Sequence, residues 1–135
     1  MIYKRCSRCG KRLPTGTRCE ECEKERRRTS NRTDGVRSEY KTGRWERERI
    51  LCLQRFCYVD LYALYRNGKV VNADRVHHIV EALDNPALFH DPANHFPTSD
   101  PSHHEIHARY KAEGAAAVQE ELRAYIAKWT AEHVI

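Results

Sequence analysis

The heptapeptide "DRVHHIV", residues 74–80, sets two adjacent histidines inside a short, mostly apolar run. Such a run reads as a buried strand, and successive side chains along a strand project to opposite faces. His77 and His78 are therefore expected to face opposite ways, one inward and one outward. That arrangement suits a metal ligand beside a catalytic base. The partners of such a site have to come from elsewhere in the chain.

Downstream, "EALDNPALFHDPAN" (81–94) contains Pro86 and Pro92, which forbid a long regular element. In "HFPTSDPSHHEIHARYKAEG" (95–114), Ser99 or Asp100 can cap a helix that has Pro101 in its first turn and Gly114 near its end. On that helix His103 and His107 are four apart and share a face, a spacing that lets two imidazoles take one metal ion. By itself the pair is as well explained by surface histidines. The last segment, from Ala115, carries Val118, Leu122, Ile126 and Trp129 on one stripe and reads as a packing helix, over the core or against a second subunit. Upstream, "RWERERILCLQRFCYVDLYALYRNGKV" (44–70) spaces Trp45, Ile50, Leu53, Phe56, Leu61 and Leu64 among charges, predicting helix with a stop at Asn67 and Gly68.

The six cysteines divide into a patterned four and an unpatterned two. Cys6 and Cys9, then Cys19 and Cys22, form two pairs of identical spacing, with Pro14 and Gly16 between them as turn formers. Two short loops of this kind deliver four thiolates to one tetrahedral zinc ion. Two disulfides of a secreted miniprotein are the alternative, and "MIYKRCSRCG" lacks the apolar core of an export signal. Four protein ligands leave no open position, so this zinc is a staple rather than a reaction centre. Cys52 and Cys57 are expected to be buried thiols.

A chain of 135 residues, 40% hydrophobic and 32% charged, fits one compact domain with a small appendage. No apolar run reaches the roughly 18 residues of a membrane span, and a reducing cytoplasm is the expected location. The net charge of +5 is unevenly placed: residues 1–49 hold 16 Lys and Arg against 8 Asp and Glu. The basic half suits a polyanion, whose counterions it would release. Arg26, Arg27 and Arg28, with Arg44, are the candidate phosphate contacts; a solvated basic arm kept for solubility is the plainer alternative.

Taken in order, "YKTGRW" (40–45), "NGKVVNADRVHHIV" (67–80), "PAN" (92–94) and "SHHEIH" (102–107) resemble the HNH endonuclease family. A knuckle, a basic linker and this core together look like small HNH proteins of tailed bacteriophages, often encoded near DNA-packaging genes. The resemblance implies an α+β fold with a small ββα-metal (HNH, or His-Me finger) core flanked by helices. The expected division is a zinc knuckle over 1–23, a basic linker over 24–43, the nuclease core over 44–112 and an amphipathic helix over 113–135. It implies His78 as general base, Asn94 as the residue that holds the hairpin and orients that base, and His77, His103 and His107 as ligands of a divalent ion (Zn, Mn, Ni or Mg). The implied partner is DNA, with a phage terminase as the suggested protein partner and no membrane. His90, His95 and His104 match no family role and are expected at the surface.

One departure stands out. Many relatives staple the core with two further cysteine pairs, and the aligned positions here are Leu61, Leu64, Ser99 and Ser102, none of which supplies a thiolate. Packing of Leu61 and Leu64 against the C-terminal helix is expected to take that role. Two function classes remain open: a metal-dependent DNA endonuclease, and a non-catalytic zinc-ribbon DNA-binding or packaging adaptor on a nuclease scaffold.

Overall fold

The computed structural model describes residues 2–133, residues 29–34 by their backbone alone; the last two residues of the expected C-terminal helix lie outside the described residues. The chain divides into two compact units, 1–39 and 40–135. In the first, β1 (Tyr3–Arg5) and β2 (Arg12–Pro14) pair antiparallel, Tyr3 opposite Pro14 and Arg5 opposite Arg12. Between them Gly10, at φ 79°, takes the left-handed conformation that glycine tolerates best. Helix α1 (Glu20–Tyr40) starts directly after Cys19, so most of the segment read as a linker is helical.

The second unit contains α2 (Gly43–Arg55), α3 (Leu61–Asn67), β3 (Arg75–His78), β4 (His95–Thr98), α4 (Asp100–Glu113) and α5 (Ala115–Glu132). β3 and β4 pair antiparallel, with His77 opposite Phe96 and His78 opposite His95. Two single 3₁₀ turns, each opened by a proline whose missing N–H would be unpaired at a helix start anyway, occupy the loop between the strands. The hairpin followed by α4 makes a ββα unit. Its core is built on Phe56, Leu61, Tyr62, Ile79, Phe96 and Ile106, with Val118 and Leu122 of α5 closing over them. Burial of each large apolar side chain contributes about 1.5–3 kcal/mol, so α5 is a packing element, as its stripe predicted.

The helix expected across 44–66 is two helices. Cys57 and Tyr58 adopt positive φ (53° and 57°), and the chain then pairs with residues 71–73: Asp60 N–H donates to the Val71 carbonyl at 2.9 Å and Ala73 N–H to the Tyr58 carbonyl at 2.7 Å. Asp60 restarts the helix as the cap of α3, accepting from Ala63 N–H at 3.0 Å. The same carboxylate accepts from Ser99 N–H (3.0 Å) and Ser99 Oγ (2.6 Å). Of the four positions where relatives carry cysteines, Leu61 lies in the core, Leu64 packs against it, and Ser99 and Ser102 are buried. The expected packing role of the leucines is accompanied by a polar lock centred on Asp60.

Candidate active site

Strand alternation separates the two histidines of β3. His77, 2% exposed, meets His103 and His107 from the inner face of α4. Each of the three offers one nitrogen, and these lie within 4.8 Å of one another. Nε2 of His103 and Nε2 of His107 are 3.0 Å apart. Nitrogens bound to one tetrahedral ion at about 2.1 Å would be roughly 3.4 Å apart, so the His103–His107 pair is near that spacing and His77 lies within small adjustments of it. Nδ1 of His107 is 3.0 Å from the Glu81 carboxylate, the kind of contact that orients a ligating imidazole. Burial, then the neighbouring histidines, push His77 down to about 2. Burial first, then His107, push His103 down to about 4. Both are neutral at pH 7, with lone pairs free for a cation.

His78 turns to the other face of the strand but is not outward as expected: it too is buried, at 4% exposed, because aromatic side chains cover that face. Its ring stacks on Trp45 (centroids 4.7 Å apart) and lies 4.5 Å from Phe89. Nε2 is 3.0 Å from the Phe89 carbonyl. A carbonyl only accepts, so Nε2 carries the proton and Nδ1 the lone pair. Nδ1 is 3.1 Å from the Tyr40 hydroxyl, which therefore donates to it. Burial pushes His78 down to about 4, against the pull of the Phe89 carbonyl, and keeps it neutral. Tyr40 is pushed up, by burial and then by the charge of Glu81; the hydroxyl on Nδ1 thus lies within electrostatic reach of the carboxylate that holds His107.

Asn94 is buried between the strands and touches neither imidazole group. It clamps the residue that follows Ile79: Oδ1 accepts from Val80 N–H at 2.8 Å and Nδ2 donates to the Val80 carbonyl at 3.0 Å, while its own carbonyl accepts from Ile79 N–H. His95 corrects a surface expectation. It is 2% exposed and its Nε2 donates at 2.7 Å to the same Phe89 carbonyl that holds His78. His90 is partly buried, its Nδ1 2.6 Å from Glu48; His104 is exposed, as expected.

No protein-family model matches the chain, and neither does any curated protein. Among solved structures, the chain is similar to the HNH endonuclease of the deep-sea thermophilic bacteriophage GVE2, crystallised with manganese ion. The TM-score is 0.57 at 24% identity, over 71% of this chain and 98% of that one. The fold is that of an HNH endonuclease.

In this HNH fold the hairpin is β3–β4 and the helix that follows it, carrying His103 and His107, is α4. Glu81 and Phe89 escaped the sequence reading because nothing in their local pattern marks them, and Tyr40 and Trp45 entered it only within "YKTGRW" and, for Trp45, as an apolar helix position; all four reach the histidines only through the tertiary fold. The candidate phosphate contacts are surface arginines. Arg26 and Arg28 pair with Glu23 (3.2 Å) and Glu25 (2.9 Å) on α1, where Arg27 is also exposed. Arg44 pairs with Glu48 at 3.0 Å on α2.

The four N-terminal cysteines cluster as well. Cys6 Sγ and Cys22 Sγ are 3.8 Å apart, as are Cys9 Sγ and Cys19 Sγ. Sulfurs on a tetrahedral zinc ion at about 2.3 Å would be roughly 3.8 Å apart, so the cluster fits a zinc knuckle. Hydrogen bonds from the backbone at Cys9 and Arg8 pull the Cys6 thiol down to about 6, favouring the thiolate that a metal takes. Cys52 is buried and its thiol is pushed up to about 12 by that burial, whereas Cys57, expected to be buried, is exposed because it sits in the left-handed turn after α2.

Proposed function

We propose that the protein is a metal-dependent endonuclease that hydrolyses DNA phosphodiester bonds. One observation carries the reading: three imidazoles from a strand and a helix converge to within 4.8 Å of one another, and the next residue along that strand is a fourth imidazole whose bond to the Phe89 carbonyl leaves Nδ1 as its basic nitrogen. His77, His103 and His107 would hold the ion, and imidazole ligands suit Mn, Zn or Ni better than Mg. When bound, a divalent ion supplies positive charge to the phosphoryl and leaving oxygens. The similar phage endonuclease was crystallised with manganese ion, which favours that metal as the first to test.

In this reading His78 accepts the proton of the attacking water at Nδ1 while the Phe89 carbonyl holds Nε2–H and the ring edge in place. Water reaches Nδ1 by replacing the Tyr40 hydroxyl there. Asn94 acts one step removed, by fixing the main chain just beyond the histidines. Arg26, Arg27, Arg28 and Arg44 supply sequence-independent phosphate contacts. A role in phage genome packaging, with a terminase as partner, rests on the resemblance alone.

A second reading, a non-catalytic DNA-binding adaptor, draws on one observation: both ring nitrogens of His78 are already hydrogen-bonded. Nicking of supercoiled plasmid with Mn, Ni, Zn or Mg decides between them. The nuclease reading expects His78→Ala to lose at least 100-fold in rate, the lower end of what a general base contributes. Equal rates for wild type and His78→Ala under every metal would leave the adaptor.

A further inference from the structure

Tyr110 lies on α4, three residues after His107, and is nearly buried at 9% exposure. Its hydroxyl is 3.0 Å from His77 Nε2 and 2.6 Å from the Ile79 carbonyl. A phenol has one proton to give, and a carbonyl has none. The phenol proton must therefore lie in the short bond to Ile79. The bond to His77 is then made by Nε2–H donating to the phenol oxygen, and the His77 lone pair is left on Nδ1. We propose that Tyr110 is a positioning residue that holds His77 in the one tautomer able to offer Nδ1 to a metal ion.

The proposal rests on the reading of His77, His103 and His107 as the metal site, and it extends that reading to the group behind the ligand. Ile79 is two residues along the same chain from His77, so the carbonyl that orients the phenol is tied to the ligand it serves. His107 is set in the opposite sense: Glu81 takes its Nδ1–H, which leaves Nε2 for the ion. A carboxylate behind one ligand and a phenol behind another leave the two lone pairs defined before any ion arrives. Such preorganisation raises affinity because no tautomer has to be converted on binding. With phenylalanine at 110 the ring keeps its place against the core, but His77 Nε2–H and the Ile79 carbonyl both lose their buried partner, and the imidazole is free to exchange its proton between nitrogens.

Two measurements on the full chain, with zinc in the knuckle, test this. Titration with Mn²⁺ by calorimetry is expected to show one ion bound by wild type, none by His103→Ala, and a 10- to 100-fold weaker ion for Tyr110→Phe, the usual range for loss of a group behind a ligand. Long-range ¹H–¹⁵N spectra of wild type before Mn²⁺ is added are expected to show His77 protonated on Nε2, and a mixture of tautomers in Tyr110→Phe. Mn²⁺ affinity within twofold of wild type for Tyr110→Phe, or a His77 proton on Nδ1 in wild type, overturns the role given to Tyr110 and leaves the metal site standing. Absence of a His103-dependent ion in wild type overturns the site itself, and Tyr110's role with it.

Discussion

The Asp60 carboxylate is wholly buried, yet it receives three donors: the Ala63 amide that opens α3, and the amide and hydroxyl of Ser99 ahead of α4. It joins two helix starts that are 39 residues apart in sequence. Replacing it by alanine removes a helix cap and leaves the Ser99 amide buried without its partner, while Ser99 Oγ keeps only the long 3.4 Å contact to Ser102 Oγ; together these cost about 2–3 kcal/mol. Urea unfolding of Asp60→Ala is expected to show that loss with an unchanged m-value, and a change below about 1 kcal/mol, the scale of a single ordinary hydrogen bond, would show the lock to be marginal. Glu48 offers a second test at this scale. Burial pulls its carboxyl up, but hydrogen bonds from His90 and Arg44 outweigh it and leave it lowered. A lowered acid contributes stability that is present above its unfolded value and lost as pH falls through the folded one. The stability difference between wild type and Glu48→Gln is therefore expected at pH 7 and should shrink as pH falls below about 4.5, the ordinary carboxylate range. A difference that holds constant down to pH 3 would sink the assignment.

Among the elements, β3 and α4 were legible in the sequence for local reasons. Two-residue alternation separated His77 from His78, and Ser99, Pro101 and Gly114 bracketed the helix that sets His103 and His107 on one face. The break between α2 and α3 was not legible. No glycine marks the left-handed residues Cys57 and Tyr58; local bonds to residues 53 and 54 close the turn, and the pairing of the chain beyond it with residues 71–73 lies outside any local window. The surroundings of His78 were hidden for the same reason: Trp45, Phe89 and Tyr40 arrive from α2, the inter-strand loop and the end of α1. Helix α1 shows the converse. It is poor in large apolar groups, and on it Arg26, Arg27 and Arg28 are exposed. If they contact phosphates, replacing all three by alanine is expected to reduce the slope of log affinity against log salt by about 2–3, near 0.9 for each phosphate no longer neutralised. Measured by fluorescence anisotropy on duplex DNA, an unchanged slope would assign these charges to solvation.

At the scale of the whole molecule the two units are held by different physics. The second has a close-packed apolar core. In the first, Cys19 alone is buried among the described residues, so the four clustered cysteines, which fit a single zinc ion, stand where a core would be. For a small metal-stapled unit, the free energy of binding is the free energy of folding. Chelation of zinc is expected to collapse the amide spectrum of residues 2–19 while the amides of β3, β4 and α5 keep their dispersion. Retention of the β1–β2 cross-peaks without zinc would show that the hairpin stands by other means.

What the sequence determined by itself was the order and spacing of the candidate site residues: cysteines in two pairs of equal spacing, adjacent histidines on a strand, and histidines one helical turn apart. Covalent spacing and the periods of strand and helix suffice for these. Only the tertiary structure decided that His78 and His95 share the Phe89 carbonyl, that His95 and Asp60 are buried, and that a phenol bonds each of His77 and His78. Those properties depend on hydrogen bonds between groups 6 to 39 residues apart, and the longer of these exist only once the chain has closed around its core.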